Sequence, residues 1–271
     1  MSRELGNQPT MPAAERVVVL TSPSYFRQRS ATYARMPRTE VRPLIFSWNK
    51  LTASQLKILM GVQPGDSQLY VSVLLSLLRR FQMEEKKPTF TSFKVQLLES
   101  MSNPGQSGPL QQRLDLLEML VAESELYVRD PSSHATAISL EDIVAEKPGT
   151  VVIADLTDPM LDASAANGIF QVLLEQFREI ASRHGKLCVL DEAHKYMSGD
   201  KAKSEMLAAS VVDTVRQMRH YGMRIAISTQ SPTTLPPEVL CVCVCVCMLA
   251  CVCVCVCACV CVFVCVGLCV C

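Results

Sequence analysis

Asp191 and Glu192 stand side by side at the end of an apolar run, Leu187-Cys188-Val189-Leu190, with Ala193 and His194 following. A short Val/Leu-rich run bounded by Gly185 on one side and two acids on the other reads as a buried strand of a parallel sheet. Such sheets bind ligands at the carboxyl ends of their strands, which is where this pattern sets both carboxylates. Two acids at one strand tip suit nucleotide hydrolysis. One holds Mg²⁺ or its water shell, and the other polarises an attacking water. The bland alternative is a solvated strand end or a helix cap. His194 has no partners with metal-ligand spacing, so it reads as an orienting or structural residue and not as part of a zinc site.

The elements that must position these residues follow from the hydrophobic pattern. Arg16 to Ser22 reads as a first buried strand, broken at Ser22-Pro23-Ser24, and Val41 to Trp48 as a weaker second strand entered through Pro43. From Leu51 to about Glu125 the apolar spacing becomes helical: Leu56, Leu59 and Met60, then Leu69, Val73, Leu74 and Leu77, then Phe93, Leu97 and Leu98, then Leu114, Leu117 and Leu120, with a loop over Pro104 to Pro109. Stripes of this kind are bundle core, so this segment reads as a helical insertion without chemistry of its own. Thr150 to Leu156 is a strand tipped by Asp155, which either supports a metal site from behind its ligands or caps the following turn. A helix from about Ala163 to His184, with Gly185 as its stop, leads into the strand of the paired acids. A loop at Ser198-Gly199-Asp200, a helix through Leu207, Val211, Val215 and Met218, a stop at Gly222, and the strand Arg224 to Gln230 complete the series. Alternating strands and helices of these lengths make right-handed βαβ units on a parallel sheet. The expected organisation is an unstructured 1–15, an α/β core from 16–50 and 126–240, a helical insertion at 51–125, and a low-complexity tail at 241–271.

Composition supports one large domain or one domain with an insertion: 271 residues, 49% hydrophobic and 19% charged. The formal net charge is zero, so no global basic field advertises nucleic acid, although local contacts stay open. Of 14 cysteines, all but Cys188 lie at or after Cys241. A body with one buried thiol suits an intracellular protein, cytoplasmic or nuclear, and no signal peptide is visible over Met1 to Arg16.

The tail alternates Cys and Val and carries no charge after Glu238. Three readings compete. It is long enough for a membrane span, with 240–262 the stretch that fits; its Cys-x-Cys spacing could bind soft metals; or it is a translated TG repeat, since TGT-GTG read in frame gives Cys-Val. The third is preferred: Met248, Ala250, Ala258, Phe263, Gly267 and Leu268 are each a single base change from the repeat codon. On that reading the native frame ends near Leu240.

Taken together, three segments resemble the HerA/FtsK branch of P-loop ATPases: VVIADLTDPM (151–160), LCVLDEAHKYM (187–197) and RQMRHYGMRIAISTQSP (216–232). The resemblance covers about Thr150 to Leu240 and, more loosely, the segment from Arg16. It implies a three-layer P-loop-type α/β fold with the helical insertion, and the nucleotide chemistry of hexameric ring-forming motors that move DNA. By resemblance, Asp191 is the Mg²⁺-shell carboxylate and Glu192 the base that activates water. Thr229-Gln230 matches the family's Thr-Gln strand tip, with Thr229 in the nucleotide site and Gln230 sensing the γ-phosphate of ATP. Arg219, three residues before Gly222, fits the arginine that completes a neighbouring subunit's site, with Arg216 and Arg224 as alternatives. DEAH-box helicases share the letters Asp-Glu-Ala-His, but a Ser-Thr-Gln-Ser-Pro tip suits the motor family better.

Two departures stand out. Ser231 occupies the place where the family usually has Arg. No G-x-x-x-x-G-K-[ST] is present: Gly61 to Asp66 has two glycines but no Lys-Ser, and a phosphate cradle needs successive backbone N–H groups, a Lys and a hydroxyl. The chain therefore reads as the C-terminal portion of an ATPase domain, inactive alone, or as a degenerate subunit that only binds partners. A corollary is an unpaired sheet edge at Arg224 to Gln230 and poor solubility.

Overall fold

The computed structural model describes residues 14–62, 69–83, 88–100, 107–121, 140–146, 149–182, 184–197, 201–231, 234–242, 247–249, 252–254 and 261–267. The molecule is mixed α/β, with a largely parallel sheet and two compact units: Met1–Pro43 with Leu140–Cys271, and Leu44–Ser139. The expectations for residues 1–13 and for the loop 198–200 lie outside the described residues.

In the first unit, β1 (Arg16–Thr21) is flanked in parallel by β2 (Thr39–Pro43) and β3 (Thr150–Asp155). β4 (Gly185–Asp191) and β5 (Met223–Thr229) pair in parallel. β1, β3, β4 and β5 are the apolar runs read from the sequence, and Val17 to Leu20, Cys188 to Leu190 and Ala226-Ile227 are buried, as a covered parallel sheet requires. The register aligns the carboxyl ends: Thr21 lies opposite Asp155, and Leu190 opposite Ile227.

The tail departs from expectation. Its described parts are strands: β6 (Cys247–Leu249), β7 (Val252–Val254) and β8 (Cys261–Gly267). β8 lies between β3 and β4, parallel to both, with Gly267 opposite Asp155 on one side and Asp191 on the other. β7 pairs antiparallel with Ser228 and Thr229 of β5, so the carboxyl end of the edge expected to be open is covered. Cys-Val alternation has the period of a strand, and both residue types tolerate burial, but the repeat carries no signal for where it pairs. No helix among the described residues is long and apolar enough to cross a membrane.

Two boundaries also move. The second strand stops at Pro43, not Trp48. Phe46 pairs instead with Val121, its N–H donating to the Leu120 carbonyl at 2.7 Å, and Trp48 opens a short 3₁₀ turn. The helix entering β4 ends at Glu179, short of His184. Lys186 explains the early end. Its side chain is 2% exposed, and its ammonium donates to the carbonyls of Phe177 (3.1 Å), Arg178 (2.7 Å) and Ile180 (2.8 Å), satisfying acceptors that a helix terminus leaves open. Burial lowers the Lys186 pKa from its ordinary value. Gly222 behaves as expected of a stop, with φ +58°.

The second unit holds the helices α2 (Ala53–Leu59), α3 (Leu69–Met83), α4 (Phe90–Glu99) and α5 (Ser107–Leu120); α1 (Phe26–Tyr33) belongs to the first unit. α5 begins inside the expected 104–109 loop, with Pro109 tolerated in its first turn. Thr52 forms a capping box with Gln55. Trp48 packs against Phe90 and Phe93 at 5.3 and 5.1 Å between ring centroids, and its indole N–H donates to the Pro88 carbonyl at 2.6 Å, which is how a fully buried tryptophan satisfies its donor.

Candidate functional site

The site is built on two neighbouring strand tips. α6 (Leu140–Glu146) precedes β3, α7 (Ala163–Glu179) joins β3 to β4, and α8 (His194–Met197) and α9 (Lys201–Gln217) join β4 to β5. Where β4 ends, Asp191 projects as an exposed carboxylate, and Oδ1 accepts a hydrogen bond from the Ser228 hydroxyl. Glu192 then turns the chain in a left-handed conformation, φ +52°. This region is rare for residues other than Gly, Asn and Asp, and it clusters at functional sites. Three bonds hold the turn. The Glu192 N–H donates to Ser228 Oγ at 3.1 Å, the Ala193 N–H to the Ser228 carbonyl at 2.9 Å, and the Lys195 N–H to the Glu192 carbonyl at 2.8 Å.

The turn aims Glu192 toward the tip of β5. Gln230 Nε2 donates to both carboxylate oxygens of Glu192, at 3.0 and 3.1 Å. His194 and Lys195 face Oε2 at 3.6 and 3.5 Å. The Gln230 N–H lies 3.3 Å from His194 Nδ1, and the Thr229 hydroxyl 3.4 Å from the same nitrogen. Thr229 is buried and also accepts from the Ser231 N–H at 3.1 Å. Asp191, Glu192, Thr229 and Gln230 thus converge, although Glu192 and Gln230 are separated by 38 positions in the chain.

Asp155 is not part of this cluster. It is 3% exposed and lies two strand spacings from Asp191 with Gly267 between them, roughly 10 Å at the usual spacing. Its carboxylate is enclosed by Arg29, at 3.0 Å to each oxygen, by the Tyr33 hydroxyl at 2.8 Å, and by the N–H (3.1 Å) and hydroxyl (2.7 Å) of Thr157. The last pair is the cap anticipated for the following turn. Beside it, Asp158 accepts from Ser24 Oγ and from the Met160 N–H.

Arg219 lies at the other end of the sheet. It is exposed, in the turn before Gly222, beside the start of β5, where Met223 pairs with Lys186. A seven-residue strand sets it roughly 20 Å from the acid tips, so it cannot meet Glu192 of the same chain. Arg216 and Arg224 lie toward that same end.

Ser228, Lys195, Arg29 and Tyr33 were missed by sequence reasoning. Ser228 had a legible signal, since it immediately precedes Thr229 and a parallel register brings it beside Asp191. Arg29 had none, being 126 positions from Asp155.

No group of three or more His, Cys, Asp or Glu able to hold a metal directly occurs among the described residues. The donors at the tips, a carboxylate and a hydroxyl, are hard oxygens suited to Mg²⁺ held through water. No family model matches the chain, and no curated protein matches it significantly.

Proposed function

We propose that Asp191, Glu192, Thr229 and Gln230 form the hydrolytic half of a nucleotide site of the HerA/FtsK type, in a three-layer P-loop-like core that couples ATP hydrolysis to movement along DNA when complete. The contact between Glu192 and Gln230 carries this reading: the residue assigned to activate water and the residue assigned to sense the γ-phosphate meet at adjacent strand tips. Asp191, exposed and adjoining Ser228, is the residue to hold Mg²⁺ through water. Mg²⁺ held there would supply charge neutralisation at the phosphates. Glu192 takes a proton from water, and Gln230 offers its amide to the phosphate oxygen.

Thr229 fixes the tip of β5 through Ser231 and His194. Arg219, at the far end of the sheet, serves such a site only in a neighbouring copy, as in a ring. The phosphate cradle is not supplied by any described loop, so the chain alone is expected to release phosphate from Mg²⁺-ATP at background rate.

The test is water-proton relaxation with Mn²⁺ on the full chain, alone and with ATP. Weak Mn²⁺ binding that falls about tenfold in Asp191→Asn is expected, the usual loss when a partner of a metal-bound group is removed. Binding unchanged by that substitution contradicts the site, and brisk phosphate release abolished by Glu192→Gln contradicts the inactivity.

A further inference from the structure

We propose that His194 is a positioning residue that ties the Glu192 carboxylate to the tip of β5, working as the neutral imidazole with its proton on Nε2. The inference rests on the reading of Glu192 as the water-activating base, and adds the group that holds that base in place.

The tautomer follows from the partners of the ring. The Gln230 N–H stands 3.3 Å from Nδ1. A backbone N–H only donates, so Nδ1 is an acceptor and carries no proton. The Thr229 hydroxyl, 3.4 Å from the same nitrogen, can serve as donor or acceptor there, so the backbone N–H of Gln230 decides the tautomer. The ring proton therefore sits on Nε2, the nitrogen that faces Oε2 of Glu192 at 3.6 Å. That separation is beyond a direct hydrogen bond, so the contact is electrostatic, with Lys195 Nζ supplying a full positive charge at 3.5 Å from the same oxygen.

One strand tip thus meets the acid in two ways, by a direct bond and by a ring standing 3.6 Å away. The backbone of Gln230 fixes the imidazole, and the side chain of Gln230 grips both carboxylate oxygens. The direct Glu192–Gln230 contact thus has an electrostatic companion in the His194 ring, which the same strand tip fixes. The orientation of one ring nitrogen by a hydrogen bond at the other is the general way in which a histidine is given a direction. A histidine that merely filled space at this turn would need no particular tautomer.

The experiment is long-range ¹H–¹⁵N spectroscopy of the full chain at mildly alkaline pH. The chain has four histidines, and the signals lost in His194→Asn assign the ring. A protonated Nε2 with an unprotonated Nδ1 is expected; a protonated Nδ1, or rapid averaging of the two, overturns the proposal. Amide exchange gives a second reading that does not depend on the ring signals. Gln230 N–H exchange is expected to quicken roughly fivefold to tenfold in His194→Leu. In His194→Asn, whose amide oxygen stands in for Nδ1, it should stay near the wild-type rate. Equal exchange in Leu and Asn variants overturns it. The outcome is separable from that of the site itself: Mn²⁺ binding indifferent to Asp191→Asn defeats the nucleotide reading with the tautomer intact, and a reversed tautomer defeats the positioning role with the metal site intact.

Discussion

Replacing Glu192 by glycine and by alanine separates backbone strain from side-chain contact. Both variants lose the same carboxylate interactions with Gln230, His194 and Lys195, so their difference reports only the left-handed turn at φ +52°. At an ordinary position glycine is the less stable of the two by about 0.4–1 kcal/mol, because its unfolded chain is freer. In the left-handed region a Cβ costs about 1–2 kcal/mol. The sign therefore reverses, leaving Glu192→Gly more stable than Glu192→Ala by about 0.5–1 kcal/mol, up to fivefold in the unfolding constant. Ala209→Gly, at an exposed site inside α9, provides the ordinary case and should cost about 1 kcal/mol. The assay is equilibrium urea unfolding, with midpoints compared at equal slope. Glycine at 192 less stable than alanine by the margin seen at 209 would refute the idea that the strand tip stores strain.

Other consequences concern the scaffold. Lys186→Met strips three carbonyls of their shared donor and should destabilise by about 2–4 kcal/mol, measured by chemical unfolding; a change under about 0.5 kcal/mol would show that the helix end is capped otherwise. Burial lowers the Lys186 pKa in the folded state, so the unfolded chain holds its proton to higher pH. This residue alone makes stability rise with pH in the alkaline range below the ordinary lysine value of 10.5, and the variant should lose that rise. Asp155→Asn breaks a nearly buried pair with Arg29 and should cost about 3 kcal/mol; an unchanged melting temperature would contradict the enclosed network. Glu175 is pushed up, first by burial and further by Glu179, against hydrogen bonding from Gln171 and the charge of Arg178. A raised carboxylate loses stability as pH climbs above its unfolded value, so Glu175→Gln should stabilise slightly at neutral pH, by well under about 1 kcal/mol given its partial exposure, and should show no gain at pH near 3.

The strands and their tips were legible because buried parallel strands are written as uninterrupted Val/Ile/Leu runs, and Asp155, Asp191 and Thr229 each end one. What joins the tips was not legible. The Ser228 bridge to Asp191 depends on register between β4 and β5, which no single strand encodes. The grip of Lys186 on Phe177, Arg178 and Ile180 required knowing that β4 starts beside the end of α7, so Gly185 looked like the helix stop. Pro43 was read as the entry to a strand and proved to be its end, since Phe46 finds Val121 instead. β8 is the furthest from prediction: its alternation fits a strand, but a uniform Cys-Val repeat has no feature that selects the slot between β3 and β4 over any other edge.

Whether Asp191, Glu192 and Gln230 serve one bound nucleotide, as proposed, is tested most directly by anomalous diffraction from crystals of the full chain soaked with Mn²⁺ and ATP. A manganese peak about 4 Å from the Asp191 carboxylate, the reach of a metal-bound water, with Gln230 swung from Glu192 toward phosphate, is the expected result. A peak elsewhere on the molecule, with Glu192 and Gln230 still joined and no nucleotide beside them, would contradict it.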